Sequence, residues 1–292
     1  MSDIITVMLW PFLACLLLPW LLVYYGLHIV KREIIFVDLA LAQVAAVGNC
    51  IAILMGYTNH DWQTYASAVG FTFVGSVIFT LTRTRSHRVP QEALIGIVYV
   101  VAAALGILLL SRSPEGNEEL RRTLIGDVLL VTRAEVWKTL ALFVVIGVLH
   151  YIFRRQFLAI SFDPKGELAQ SKRGPWWDFL FYVLFGFVVT SFLQIGGVLL
   201  VFTFLIMPSV AANMLSRSLP VQMGIAWLFA TTGSVCGLVL SYKMDFPAGA
   251  AIVCMLGALL LVLGFTTWCA RGRKIPQIAP IHAEKETLID SN

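Results

Sequence analysis

The feature that most constrains this chain is the return, again and again up to residue 269, of long apolar runs divided by short polar loops. Each run is close to the ~20 residues that cross a ~30 Å hydrocarbon core as a helix. In lipid every backbone N–H and C=O must be satisfied internally, and runs of this length satisfy them as helices. Composition agrees, since 59% hydrophobic and 13% charged residues lie far outside the range of soluble domains. The expected fold class is therefore all-α, a polytopic integral membrane protein. Its spans fall near 4–29, 34–56, 64–82, 93–111, 136–153, 176–193, 195–214, 221–241 and 248–269. Nine spans are expected, with eight as the alternative if one shorter segment does not cross. Residues 1–270 then form one transmembrane domain. The polar tail 271–292 lacks helical periodicity and is expected to be mobile.

Basic residues orient the chain, because cytoplasmic loops carry the excess of Lys and Arg. Lys31-Arg32, Arg83-Arg85-Arg88, the segment 154–173, Arg217 and the tail share one side under nine spans. Only Arg112, Arg121, Arg122, Arg133, Lys138 and Lys243 of the 21 basic residues stand outside it. That side is cytoplasmic, and the expected location is a prokaryotic inner membrane with lipid all round. The outer loop 112–135 mixes Glu115, Glu118 and Glu119 with Arg112, Arg121, Arg122 and Arg133. It reads either as a solvated cap or as a docking surface for a protein. The first span has an acidic start and no small-residue cleavage site, so it is not read as a signal peptide.

Several chemistries are excluded by what the chain lacks. There is no G-x-x-x-x-G-K-[ST] loop to cradle ATP phosphates. The H-E-x-x-H and G-x-S-x-G signatures of hydrolases are also missing. His28, His60, His87, His150 and His282 stand apart in sequence, and His60-Asp61 reads as exposed loop. Cysteines 15, 50, 236, 254 and 269 lie in apolar spans without zinc-site spacing and read as packing residues. Neither an enzyme nor a nucleic-acid binder is expected.

Two cytoplasmic-side segments carry a resemblance: "FLAISFDPKGELAQSKRG" from Phe157 and "LQIGGVLLVFTFLIMPSVAANMLSRSL" from Leu193. With "EALIGIVYVVAAALGILLLSR" from Glu92, "LIGDVLLVTRAEV" from Leu124 and "LSYKMDFPAGAAIV" from Leu240, they resemble, in the same order, the membrane subunit of zinc/manganese/iron-type ABC importers. That resemblance implies a homodimeric permease working with a separate ATPase subunit and an extracytoplasmic metal-binding protein. ATP is then used by the partner, no cofactor is bound by this chain, and a divalent metal ion is the cargo. The siderophore or cobalamin type of ABC permease and a secondary transporter are the alternatives. Pro208 lacks a backbone donor and is expected to end its apolar helix, with Ala211, Ala212, Leu215, Ser216 and Arg217 forming a short amphipathic helix at the cytoplasmic face. The resemblance makes that helix the ATPase-coupling element. It also favours Arg112, Arg121 and Arg122 as docking residues for the binding protein. Asp245 reads as a cap of the following helix, or as part of the outer mouth.

The stretch "VDLALAQVAAVG" is where the chain departs from the resembling family, which usually shows "GDALSHAVLPG". Leu39 stands at the family's Asp, Gln43 at its His and Val47 at its Pro, while Asp38 falls one residue earlier. At 3.6 residues per turn, Asp38, Ala42, Ala45 and Asn49 share one face, with Gln43 turned about 140° from Asp38. Asp38, the one acid read at membrane depth, offers a metal-ligating carboxylate beside a transport pathway, with Asn49 or Gln43 as a neutral oxygen ligand. The other reading is that Asp38 pairs with Lys31 or Arg32. Carboxylate and amide oxygens suit manganese better than zinc, which favours imidazole.

Overall fold

The computed structural model describes residues 2–58, 61–82, 90–112, 116–126, 128–162, 166, 168, 171 and 173–271, and every structural statement concerns these. The loop arginines Arg83, Arg85 and Arg88, His60, His87, Glu115, Asp163-Pro164 and the tail beyond 271 lie outside them.

The described chain is helical, with no strand among the described residues. The helices are α1 (Ser2–Arg32), α2 (Val37–Leu54), α3 (Trp62–Leu81), α4 (Gln91–Leu110), α5 (Gly116–Ile125), α6 (Arg133–Ile152), α7 (Arg154–Phe162), α8 (Gly174–Leu215), α9 (Leu219–Met244) and α10 (Ala248–Arg271). Eight are long and apolar enough to cross a membrane. One helix that enters from the outer loop, α6, carries a polar cap. Thr132 Oγ1 accepts from the Glu135 amide at 3.3 Å, and the Glu135 carboxylate accepts from the Thr132 amide at 2.8 Å, a complete capping box that starts α6.

Helix α8 is two spans. Its 42 residues would run about 63 Å at 1.5 Å each, twice the hydrocarbon core. At Gly197 the backbone leaves helical geometry, with φ 66° and ψ 172°, a region open essentially to glycine alone. Contacts on either side show that the chain doubles back there. Phe185 packs on the Tyr25 ring with centroids 4.9 Å apart, and Ser209 Oγ lies 3.5 Å from the carbonyl oxygen of neighbouring Val23. A straight helix would hold residues 185 and 209 about 36 Å apart. Residues 174–196 (α8a) therefore rise antiparallel to α1, and residues 198–215 (α8b) return beside it. The nine expected spans are thereby recovered, and Arg173 and Arg217 stay on one side.

The core lies where α1 meets α8. Tyr25, Phe181, Phe185, Phe192, Leu200 and Phe204 are all wholly buried, and α2 fits against α3, α4 and α8. By contrast, α4 and α6 show broad apolar faces outward, including Val100, Leu108, Val144 and Val148. In water these would be a liability, whereas against lipid tails they are the expected surface.

Candidate functional site

Helix α2 carries the polar groups that the sequence singles out, and the fold places it inside. Asp38 sits in the first turn of α2, 1% exposed, with both carboxylate oxygens buried and no hydrogen-bond partner among the described residues. The nearest compensation is the start of the helix itself, where the amides of Asp38 and Leu39 and the positive end of the helix dipole face the carboxylate. Arg32 does not neutralise it. That guanidinium is engaged elsewhere, so the expected pairing of Asp38 with Arg32 is not formed.

Gln43 is buried about one and a half turns further along α2, and Asn49 lies near its outer end. By helical rise they stand roughly 8 and 16 Å from Asp38 along the axis. One ion cannot be held by Asp38 and Asn49 together. The three form successive stations on one helix, and no cluster of three His, Cys, Asp or Glu able to grip a metal occurs among the described residues. Ala42 and Ala45, on the face shared by Asp38 and Asn49, are buried against neighbouring helices.

Asn49 lines an outer cavity of about 320 Å³ together with Glu119, Arg122, Glu135 and Gln194. Its Oδ1 is buried and accepts no hydrogen bond. Helix α5, which supplies Glu119 and Arg122, rests on the apex of the α8 hairpin. Gly126 (φ 70°) at its end meets Gly196 and Gly197 backbone to backbone, so that a side chain at 126 or 197 would run into the opposing main chain. Arg121 is exposed on α5 and reaches Glu118 at 3.6 Å, and Arg112 is exposed just after α4. Arg112, Arg121 and Arg122 are thus all exposed on the outer face.

On the cytoplasmic side the expectation for the segment after Pro208 needs correction. Pro208 does not end the helix, which runs on to Leu215, and Ala211 and Ala212 are wholly buried. Pro208 and Ser209 are both buried against neighbouring helices, and such packing lets a membrane helix tolerate proline. Only Ser216, Arg217 and Ser218 connect α8 to α9, with Leu215 and Arg217 exposed; no separate surface helix forms there. The short amphipathic helix on this face is α7. It buries Phe157, Ile160 and Ser161 and exposes Arg154 and Arg155. Asp245 closes α9 in the left-handed conformation (φ 56°) and is not seen as a cap of α10.

Sequence reading missed a second acid at membrane depth. Asp178, on α8a, is 1% exposed and accepts from Arg32 Nη1 at 3.0 Å. Its place in the apolar run "PWWDFLFYV" was the available signal.

A bundle of nine spans, with polar groups along one interior helix and short helices on both faces, is the architecture of a multi-pass membrane protein, and the family it matches makes it a transporter. The ABC 3 transport family matches residues 4–267, and the chain belongs to that family. Manganese transport system membrane protein MntC of Halalkalibacterium halodurans is 28% identical over 240 residues, 82% of this chain and 80% of that protein. Manganese import system permease protein ScaB of Streptococcus gordonii is 25% identical over 240 residues, 82% and 84% of the two chains. The solved structure of PsaBC from Streptococcus pneumoniae in complex with Fab superposes with a TM-score of 0.73 at 22% identity, covering 88% of this chain and 90% of that one, which shows the shared fold.

Proposed function

We propose that this chain is the permease of an ATP-driven importer of a divalent metal ion, with manganese the favoured cargo over zinc or iron. The observation that carries the reading is Asp38, a carboxylate buried on α2 with no cation beside it. Such a group costs several kcal/mol in an apolar interior unless a positive partner visits it. The manganese named in the two relatives supports the choice of ion, as does the donor set of one carboxylate and two amides along α2, all hard oxygens. Asp38 is the metal ligand of this reading. Asn49 and Gln43 mark the way to it from the outer cavity.

Two copies of the chain would enclose the pathway. A separate ATPase subunit would bind and hydrolyse ATP, pressing on the turn after Pro208, Ala211, Ala212 and Leu215, with Ser216 and Arg217 as its contacts, and on α7. An extracytoplasmic metal-binding protein would dock on Arg112, Arg121 and Arg122. The siderophore or cobalamin type of permease is the alternative reading.

The test is uptake of manganese, zinc and iron into vesicles holding the chain with its ATPase and binding protein, with Asp38→Asn beside the unaltered chain. ATP-dependent accumulation of one ion that falls at least tenfold in Asp38→Asn, with assembly and ATP hydrolysis retained, supports the reading. Equal uptake by the variant would remove Asp38 from the path.

A further inference from the structure

Where α1, α7 and α8a meet on the cytoplasmic side, one side chain holds all three. The Arg32 side chain is 8% exposed. Its Nη1 donates to Asp178 Oδ1 on α8a at 3.0 Å, and its Nε donates to Ser161 Oγ on α7 at 2.8 Å. The same Ser161 Oγ lies 2.7 Å from His28 Nδ1, one turn back on α1. The guanidinium carbon stands 4.0 Å from the centre of the Phe181 ring, also on α8a. Sequence separations of 129 and 146 residues are closed by these contacts.

A buried ion pair is a poor source of stability, because desolvation offsets most of the attraction. Apolar packing would join these helices as well. What the charged arrangement supplies that packing does not is a fixed register, since a guanidinium has rigid donor directions and releases its acceptors only as a unit. Helix α7 needs such a tie. It is nine residues long, lies at the membrane face and exposes Arg154 and Arg155. Beside the tie lies a polar cavity of about 250 Å³ lined by Arg32, Gln91, Ser161, Asp178 and Tyr182. Gln91 brings the start of α4 to the same place, its Nε2 donating to Tyr182 Oη at 3.3 Å. That opening adjoins the cluster on one side, while Phe157 and Phe181 pack it on the other.

We infer that Arg32, with Ser161 and Asp178, is a positioning cluster that makes α7 move as one body with α1 and α8a, so that force on the cytoplasmic helix reaches the spans. This rests on the importer reading above and adds to it the residues that carry the motion inward. Ser161 is the link to α7. Asp178 is the link to α8a.

The experiment uses the assembled transporter in vesicles and reads ions taken up per ATP hydrolysed. Ser161→Ala removes the α7 link while leaving the Arg32–Asp178 pair, and it also takes the partner of Arg32 Nε and His28 Nδ1, so complex formation is checked beside it. Asp178→Asn weakens the other link. Where Asp178→Asn does not assemble, the double variant Arg32→Met with Asp178→Leu removes the charges without stranding one. The expected result is a fall of about two- to tenfold in ions per ATP, with complex formation and ATP hydrolysis retained, a range in line with mutations along coupling networks. Unchanged ions per ATP in Ser161→Ala and in the double variant would overturn the inference. A second arm needs neither cargo nor ATPase: amide exchange of residues 154–162 in the purified chain should quicken severalfold in Ser161→Ala. If the unaltered transporter moves no divalent ion, the importer reading fails. The clamp is then judged on exchange alone, and equal exchange overturns it.

Discussion

At the scale of single residues, Asp38 and Gly197 each do something no neighbour could. The Asp38 carboxylate has no cationic partner among the described residues and is only partly compensated by the start of α2. Removing its charge should therefore stabilise the resting protein while harming transport, a trade typical of functional sites. The expectation is that Asp38→Asn raises the unfolding temperature of the detergent-purified chain, by about 1–2 kcal/mol in free-energy terms. A lowered unfolding temperature would mean that the charge is structural. Gly197 combines a glycine-only conformation with main-chain contact to Gly126. Gly197→Ala should cost about 1–3 kcal/mol for the backbone alone, and more from the collision. A thermal melt and the yield of folded chain would read this, and an alanine variant as stable as the original would contradict the hairpin apex described for α8.

At the scale of elements, the described cytoplasmic surface between spans from residue 153 on consists of one short helix, a three-residue turn and residues 166, 168, 171 and 173. If Ser216–Ser218 touches an ATPase, reversing the exposed charge with Arg217→Glu should weaken ATPase association, and the loss should shrink as salt is added, since exposed charges are screened beyond about 10 Å at 0.1 M. Titration of the ATPase onto the permease at two salt concentrations decides this. On the other face, Arg121→Glu with Arg122→Glu should slow capture of an acidic binding protein far more than it changes the chain's stability, because Arg121 is solvent-exposed on α5. Association rates by surface binding are the readout. An unchanged rate would return α5 to the role of a plain cap. The span α8a–α8b was legible as two runs, 176–193 and 195–214, because the apolar stretch is about twice the length of one crossing. The fate of Pro208 was not legible, since a proline within a span is tolerated where neighbouring helices bury the stretch around it, as they do at Ala211 and Ala212.

At the scale of the molecule, the hairpin at Gly197 decides which loops face which side. With nine spans, a single cysteine placed at 121 should react with an impermeant maleimide from outside only, and one at 217 from inside only, in a chain whose five native cysteines are replaced; matching accessibility from one side would refute the topology. What the sequence determined by itself was the medium and the crossings to within one, nine with eight as the alternative, because apolar length and Lys/Arg bias are properties of segments taken one at a time. It also raised the question of Asp38, since an acid in an apolar run is conspicuous without knowing its neighbours. Only the tertiary structure decided that Arg32 serves Asp178 and Ser161 and leaves Asp38 without a counter-ion, that Asp38 and Gln43 are buried against neighbouring helices, and that α7 is the surface helix. Each of these depends on contacts between residues far apart in the chain, some more than a hundred positions distant, and the energy of such a contact is set by burial and geometry that no local pattern encodes.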